Sequence, residues 1–145
     1  MNIVETDYWC LMLPPEWSAE QEDGVIRIID QDGIGELALT TLVQESGASG
    51  TNSLSALAEL VAAESPEVTE WAPARCGAFS GLEGRCEEDA TQIREWYLAH
   101  GEALLYITYV CELADAGMDD AAVDEILGTL VAGDALSSTE RGPSD

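Results

Sequence analysis

Apolar and polar residues alternate along much of this chain with the period of two that marks strands half-buried in a sheet. Tyr8–Leu13 is a short strand of this kind, ended by Pro14-Pro15 because proline cannot donate to a ladder. Gly24–Asp30 is β-branched, Asp32-Gly33 is a two-residue turn signal, and Gly35–Val43 follows. Closing a hairpin there pairs Ile28 with Leu37 and Ile26 with Leu39 on one face. Arg27 and Glu36 then share the other face, so the register is self-consistent. Gln44–Asn52 is rich in Ser and Gly and reads as a loop. Ser53 caps a helix running to about Glu64, with Leu54, Leu57, Ala58, Val61 and Ala62 on its apolar face and Pro66 beyond its end.

Trp71–Arg75 leads into a strand, and Arg75–Glu112 reads as three or four strands in meander order. Ser80-Gly81, Asp89–Gln92 and His100-Gly101 are the turn signals between them. The last turn, closed at its centre, pairs Trp96 with Leu105 and Leu98 with Ala103. The middle one brings Glu87 near Arg94. Ala103–Cys111 is apolar on both faces, as a central strand covered on both sides would be. Gly117 breaks the chain. Asp119 and Asp120 then open a second helix, whose buried stripe is Val123, Ile126, Leu127 and Leu130 and whose C-terminal cap is Gly133.

The predicted order is β-β-β-α-β-β-β-β-α. That is an α+β domain with an antiparallel sheet of about six to seven strands and two helices, spanning residues 1–133, with a polar tail at 134–145. Its expected core is Ile26, Ile28, Leu37, Leu39, Trp96, Leu98, Leu105, Ile107, Leu57, Val61, Ile126 and Leu130. Trp9 and Trp96 fall in strands and belong with that core. Trp17 and Trp71 lie beside prolines and could be partly exposed as binding anchors; the alternative is a lid packed over the sheet edge.

Charge changes this picture most. Twenty-nine Asp and Glu stand against five Arg and no Lys, a formal charge of −24 over 145 residues of which 46% are hydrophobic. Ordered apolar runs between the acids point to a folded domain with an acidic skin rather than a disordered chain. Such a skin repels nucleic acid and anionic lipid and favours a basic protein partner. An acid excess without Lys also looks halophilic, a reading that four Cys and four Trp fit poorly. No apolar run approaches the roughly 20 residues of a membrane helix, and the first residues carry no signal-peptide pattern, so the expected location is cytoplasmic. In a reducing compartment Cys10, Cys76, Cys86 and Cys111 are expected to be buried free thiols. Cys76 and Cys86 flank one predicted turn and could face each other in one register.

Candidate chemistry is sparse. His100 is the single histidine and sits at an expected hairpin tip; no G-x-S-x-G elbow and no C-x-x-C accompany it. Asp30-Gln31-Asp32-Gly33 opens like a calcium loop but runs into a strand without the remaining ligands. Glu87, Glu88 and Asp89 read as a solvated strand end. Gly47–Gly50 lacks the Lys that a phosphate site would use. No catalytic residue, metal site or cofactor is assigned. The candidate partner-binding residues are Glu16, Trp17, Glu20, Glu22 and Asp23, an acidic patch with an aromatic anchor, together with Trp71.

Leu13-Pro14 with Trp17, Gly35-x-Leu37-x-Leu39, Arg94-x-Trp96-x-Leu98-x-x-Gly101, Tyr106-x-Thr108-Tyr109 and the closing acidic helix Val123–Leu130 form a pattern that resembles the PsbP-like superfamily. The superfamily includes a photosystem II extrinsic protein, a Ran-binding nuclear import factor and small bacterial proteins. The likeness spans roughly Tyr8–Val131 and rests on element order and apolar positions. It implies a non-enzymatic binding or accessory role. One bacterial branch serves as chaperones for type VI secretion effectors, cradling apolar helices of the cargo, and that makes a chaperone or adaptor one expectation. An immunity protein neutralising a basic toxin by charge complementarity is the alternative. No partner-site residue is carried over from the superfamily.

Overall fold

The apolar alternation on either side of the first hairpin does what its pattern predicts. In a computed structural model, β4 (Val25–Asp30) pairs antiparallel with β5 (Gly35–Val43), with Ile28 opposite Leu37 and Ile26 opposite Leu39. Arg27 Nε reaches Glu36 at 3.8 Å on the other face. The structure describes residues 2–6, 8–22, 25–31, 33–43, 70–100 and 103–133. The helix expected at Ser53–Glu64, with Leu57 and Val61, and the tail at 134–145 lie outside the described residues.

The remaining elements are β1 (Asn2–Glu5), β2 (Trp9–Leu13), β3 (Trp17–Glu22), β6 (Trp71–Cys76), β7 (Phe79–Glu88), β8 (Thr91–His100), β9 (Ala103–Glu112), a 3₁₀ turn at Leu113–Asp115, α1 (Asp120–Leu127) and β10 (Val131–Ala132). They make an α+β fold with two antiparallel sheets, one of seven strands in the order β3-β4-β5-β9-β8-β7-β6 and one of three in the order β1-β2-β10. β9 is the middle strand of the larger sheet, as its two apolar faces demand.

The single-sheet expectation is corrected. β2 does not join the hairpin that follows it, because a turn after Pro14 redirects the chain. The Trp17 amide donates to the Pro14 carbonyl at 3.0 Å, and β3 starts in the other sheet. β1, β3 and β10 were not expected from the sequence pattern. β1 and β10 are four and two residues long, too short for alternation to register. β3 reads Trp-Ser-Ala-Glu-Gln-Glu, with only its first side chain buried.

Three turns also move. Asp89 and Ala90 both take left-handed backbone (φ 49° and 65°), the geometry of a tight two-residue hairpin turn, so Glu87 faces Gln92 and Arg85 faces Arg94. The β6–β7 turn is at Gly77-Ala78, not Ser80-Gly81, which lie inside β7. β8 runs on through His100 and β9 resumes at Ala103, so Trp96 opposes Ile107 and Leu98 opposes Leu105. Each partner shifts by two residues, which leaves every side chain on its expected face. Gly133 is not a helix cap. α1 stops at Gly128, and the Gly133 amide closes β10 onto the Tyr8 carbonyl at 3.0 Å.

One face of the large sheet packs against the small sheet and α1. Trp9, Leu11, Leu13, Trp17, Ile28, Leu37, Leu39, Phe79, Trp96, Leu98, Leu105, Ile107, Val123, Ile126, Leu127 and Leu130 are buried together there. Of the described residues expected in the core, only Ile26 is partly exposed. The other face carries a smaller apolar cluster of Leu82, Tyr97, Ala99 and Leu104, with Trp71 and Tyr106 against it.

Candidate functional site

Strand parity decides where the expected binding residues go. Trp17 heads β3 and turns inward, only 3% exposed, so its reading as an exposed binding anchor is corrected and the packed alternative holds. Glu20 and Glu22 lie on the opposite side of the pleat from Trp17 and remain exposed, and Glu22 pairs with Arg27 at 3.3 Å. Glu16 is exposed on the turn before β3, and its carbonyl accepts from the Gln31 amide. Asp23 lies outside the described residues. Trp71 is half-buried at the start of the edge strand β6, edge-on to Tyr97 with ring centroids 5.6 Å apart. It is far along the strand order from β3, at the opposite edge of the large sheet. The structure therefore does not assemble these residues into one surface.

A cluster that the sequence pattern did not suggest sits between the large sheet and α1. Arg94 on β8 is 2% exposed, and its guanidinium lies 4.5 Å from the Trp96 ring centre. It donates through Nη2 to Glu83 at 2.6 Å and Asp124 at 2.9 Å, and through Nη1 to Asp120 at 3.2 Å. Arg85, directly opposite on β7, adds a second contact to Asp120 at 3.2 Å. Two like charges across a ladder repel, and here three carboxylates hold them together. Burial works against the Arg94 charge, but the bonds to Glu83 and Asp124 outweigh it and raise its pKa. The expected Glu87–Arg94 pair is replaced by this network, because the two-residue turn at Asp89-Ala90 puts Gln92 opposite Glu87. The helix carboxylates are spaced i, i+4 on one face of α1, and only the fold shows that this face meets Arg94.

On the other face of the sheet, Glu95 is a buried carboxylate. The Tyr106 hydroxyl donates to it at 3.1 Å, and the Cys86 thiol lies 3.9 Å from it. Back on the core face, near the end of β9, the Tyr109 hydroxyl donates to Asp119 at 2.5 Å, and burial followed by this bond pushes the phenol pKa up. The Tyr109 ring lies over Gly35, where a Cβ would meet the hydroxyl at 2.2 Å, so the glycine after the first hairpin turn makes room for it. These buried polar contacts fix the sheet and α1 in place.

The four cysteines are thiols rather than disulfides, but they are not uniformly buried as expected: Cys76 and Cys111 are buried, while Cys10 and Cys86 are half-buried. Cys76 pairs with Phe79 and Cys86 with Ile93, so the register that would bring Cys76 and Cys86 face to face is not adopted. His100 Nδ1 lies 3.0 Å from the Ala78 carbonyl oxygen, and its ring rests against Phe79. Asp30 caps its own turn by accepting from the Gly33 amide at 2.9 Å. Among the described residues no three His, Cys, Asp or Glu side chains converge as metal ligands, and no helix is long and apolar enough to cross a membrane.

Among the described residues, three stretches of open surface bear on binding. A groove of about 770 Å³ runs beside β6, lined by Glu70, Trp71, Ala72, Glu83, Gly84 and Arg85. Another, of about 630 Å³, lies at the β7–β8 turn against Glu112 and Leu113. The third is the outer face of the small sheet. Its inner residues, Trp9, Leu11 and Leu13, fill the core, which leaves Ile3, Met12 and Val131 in solvent. No charged group converges on an enclosed cavity at any of the three.

Similarity to solved structures follows this architecture. Over 90% of this chain and 91% of its own, the cyanobacterial PsbP (CyanoP) of Synechocystis superposes with a TM-score of 0.64 at 8% identity. The Ran-binding protein Mog1p of Saccharomyces cerevisiae matches 94% of this chain and 98% of its own, with a TM-score of 0.52 at 13% identity. The fold is PsbP/Mog1-like. A crystal structure from Bacteroides thetaiotaomicron covers 86% of the chain with a TM-score of 0.63 at 14% identity, and the chain spans 44% of that protein. No protein-family model matches the sequence, and no curated protein sequence matches it. The likeness is therefore one of fold, and the PsbP-like resemblance drawn from the apolar pattern is correct at that level.

Proposed function

We propose that this chain is a small non-enzymatic binding or accessory protein whose ligand is another protein. The observation that supports the reading is the PsbP/Mog1-like fold over nearly its whole length, shared with a Ran-binding protein, on a chain of charge −24. Fold alone is a weak warrant for function. The charge adds a physical one, because a single-sign surface accelerates encounter with a basic partner and rejects acidic ones. Within this reading the role is that of a bacterial secretion-effector chaperone or adaptor, acting in the cytoplasm. An acidic immunity protein that neutralises a basic toxin is the second reading, and the same charge favours it.

Affinity capture from the native cell at physiological salt tests the reading. A stoichiometric protein partner that elutes when salt is raised is the expected result, and repeated capture of none overturns it. Gene deletion separates the two roles. Loss of a secreted effector supports the chaperone, whereas death that requires a neighbouring toxin gene supports immunity.

A further inference from the structure

We propose that the outer face of the three-stranded sheet docks a cationic, apolar-anchored segment of the protein partner. This rests on the binding-protein reading and names its surface. Register puts the surface together. Ile3 on β1 stands opposite Met12 on β2, and Val131 on β10 stands opposite Cys10, two residues back along β2 on the same side of the pleat. Three apolar side chains from three strands thus share one face. Ile3 is 68% exposed, Met12 40% and Val131 51%, with Cys10 half-buried among them. A single exposed apolar residue needs no explanation, but a group on one sheet face, beside a recess, marks an interaction surface. The recess is a notch of about 40 Å³ next to Met12, walled by Pro14, Ile126 and Thr129. A flexible thioether at its mouth can repack around different apolar side chains.

Charge selects the occupant. Glu5 lies across from Cys10, and Glu125 lines the notch; both are exposed. β1, β2, α1 and β10 carry no Lys, Arg or His, and the four arginines among the described residues all belong to the large sheet. Among the described residues the apolar group is therefore rimmed by acid, and the arginines that reach α1 are engaged by Asp120 and Asp124. A second copy of this chain would bring like rims and two charges of −24 together, which opposes an isologous dimer. A segment with Lys or Arg flanking aliphatic side chains satisfies both halves of the surface. Its apolar groups cover Ile3, Met12 and Val131, and its cations meet Glu5 and Glu125.

Fluorescence anisotropy with two synthetic peptides tests this, one alternating Leu and Lys and one alternating Ser and Lys. Wild-type protein is expected to bind the Leu/Lys peptide at least roughly tenfold more tightly, a factor equivalent to about 1.4 kcal/mol. The triple variant Ile3→Thr, Met12→Thr, Val131→Thr keeps every charge and suits strands, and it is expected to lose that preference while still binding both peptides weakly. Glu5→Gln with Glu125→Gln should weaken both peptides more than Glu20→Gln with Glu22→Gln on β3. Circular dichroism verifies the fold of each variant. If the triple variant unfolds, Ile3→Thr alone carries the comparison. Retained preference in the folded variant overturns the proposal, as does no binding by wild type. A wild-type dimer in sedimentation that the substitutions dissolve also overturns it, in favour of self-association. A partner captured from the cell that binds the triple variant undiminished removes this surface and leaves the binding-protein reading standing. Peptide preference without any cellular partner does the reverse.

Discussion

A guanidinium taken out of water needs compensation, and Arg94 receives it from Glu83 on β7 and from Asp120 and Asp124 on α1. Asp124 is largely in solvent, so its contact is screened more than those of Glu83 and Asp120. Arg94→Ala would leave three carboxylates with only the half-exposed Arg85 between them. It is expected to lower unfolding free energy by about 3–5 kcal/mol in urea, and a loss under about 1 kcal/mol would show that the cluster does not hold α1. Arg94→Lys should recover only part of the loss, because a point charge cannot serve the forked geometry. Beside this cluster, burial first, and then Glu83 and Asp124, push the Cys76 thiol up from 9.0 to about 11. Below about pH 9 that thiol is protonated in both folded and unfolded chains, so its stabilising effect is fully present. Between about pH 9 and pH 11 the unfolded chain loses a proton that the folded one keeps, and stability falls as pH rises. Tyr109, also raised, acts in the same direction. The urea midpoint should therefore be lower at about pH 10.5 than at about pH 8, with a smaller drop in Cys76→Ala. A midpoint that does not move between the two would sink this account. Thiol titration of the denatured, unreduced protein should count all four cysteines.

At the scale of elements, turns carry more information than strands do. Gly77 makes the β6–β7 turn at φ +62°, and a Cβ there would meet the Leu130 carbonyl oxygen at 2.0 Å. That same carbonyl accepts from the Ala78 amide at 2.9 Å, tying the turn to the chain after α1. Gly33 has nearly the same φ, +65°, but open space around it. Gly33→Ala should cost only the backbone strain, roughly 1–2 kcal/mol. Gly77→Ala should cost clearly more, because the carbonyl must also move. Equal urea midpoints for the two variants would mean that Leu130 gives way freely. The contrast shows what was legible in the sequence. Period-two alternation placed Ile28, Leu37, Trp96 and Leu105 on the buried face, and the β4–β5 register followed from its turn signal. The β7–β8 and β8–β9 registers did not, because a shift of two residues preserves every face and alternation cannot detect it. The sequence marks a turn at Asp89–Gln92, but without a glycine or asparagine there nothing shows that Asp89 and Ala90 are the two residues that take left-handed backbone. β3 hides for a related reason. Its single buried residue, Trp17, looks from sequence like an exposed aromatic in an acidic loop, and only pairing with β4 shows the parity that separates it from Glu20 and Glu22. The candidate docking face was illegible because it needs β1 and β10 beside β2, a pairing that joins the two ends of the described chain.

For the molecule as a whole, 24 net negative charges must be held on a small fold. Self-repulsion destabilises a compact state relative to an expanded one, and its strength depends on how far each charge is felt. The Debye length is about 30 Å at 0.01 M salt, about 8 Å at 0.15 M and about 3 Å at 1 M. Near 0.01 M the acids of one face therefore repel those of the other across the molecule, while at 0.15 M each interacts only with near neighbours. The buried Arg94 contacts are screened far less over the same range, so they do not offset the change. Thermal unfolding is expected to move up by a few degrees between these two salts, the size of shift that about 1 kcal/mol gives in a domain of this length. Further salt should add little, since repulsion across the fold is already gone. This pattern separates an acidic binding surface from adaptation to brine, in which stability would keep rising toward molar salt and the protein would be unfolded below it. The same screening governs encounter. The association rate with a basic partner should fall steeply over the interval in which stability rises, while dissociation, controlled by the apolar contacts at Ile3, Met12 and Val131, should change little. Scanning calorimetry and stopped-flow binding across one salt series read both quantities. A flat unfolding temperature together with a flat association rate would mean that the net charge governs neither stability nor encounter.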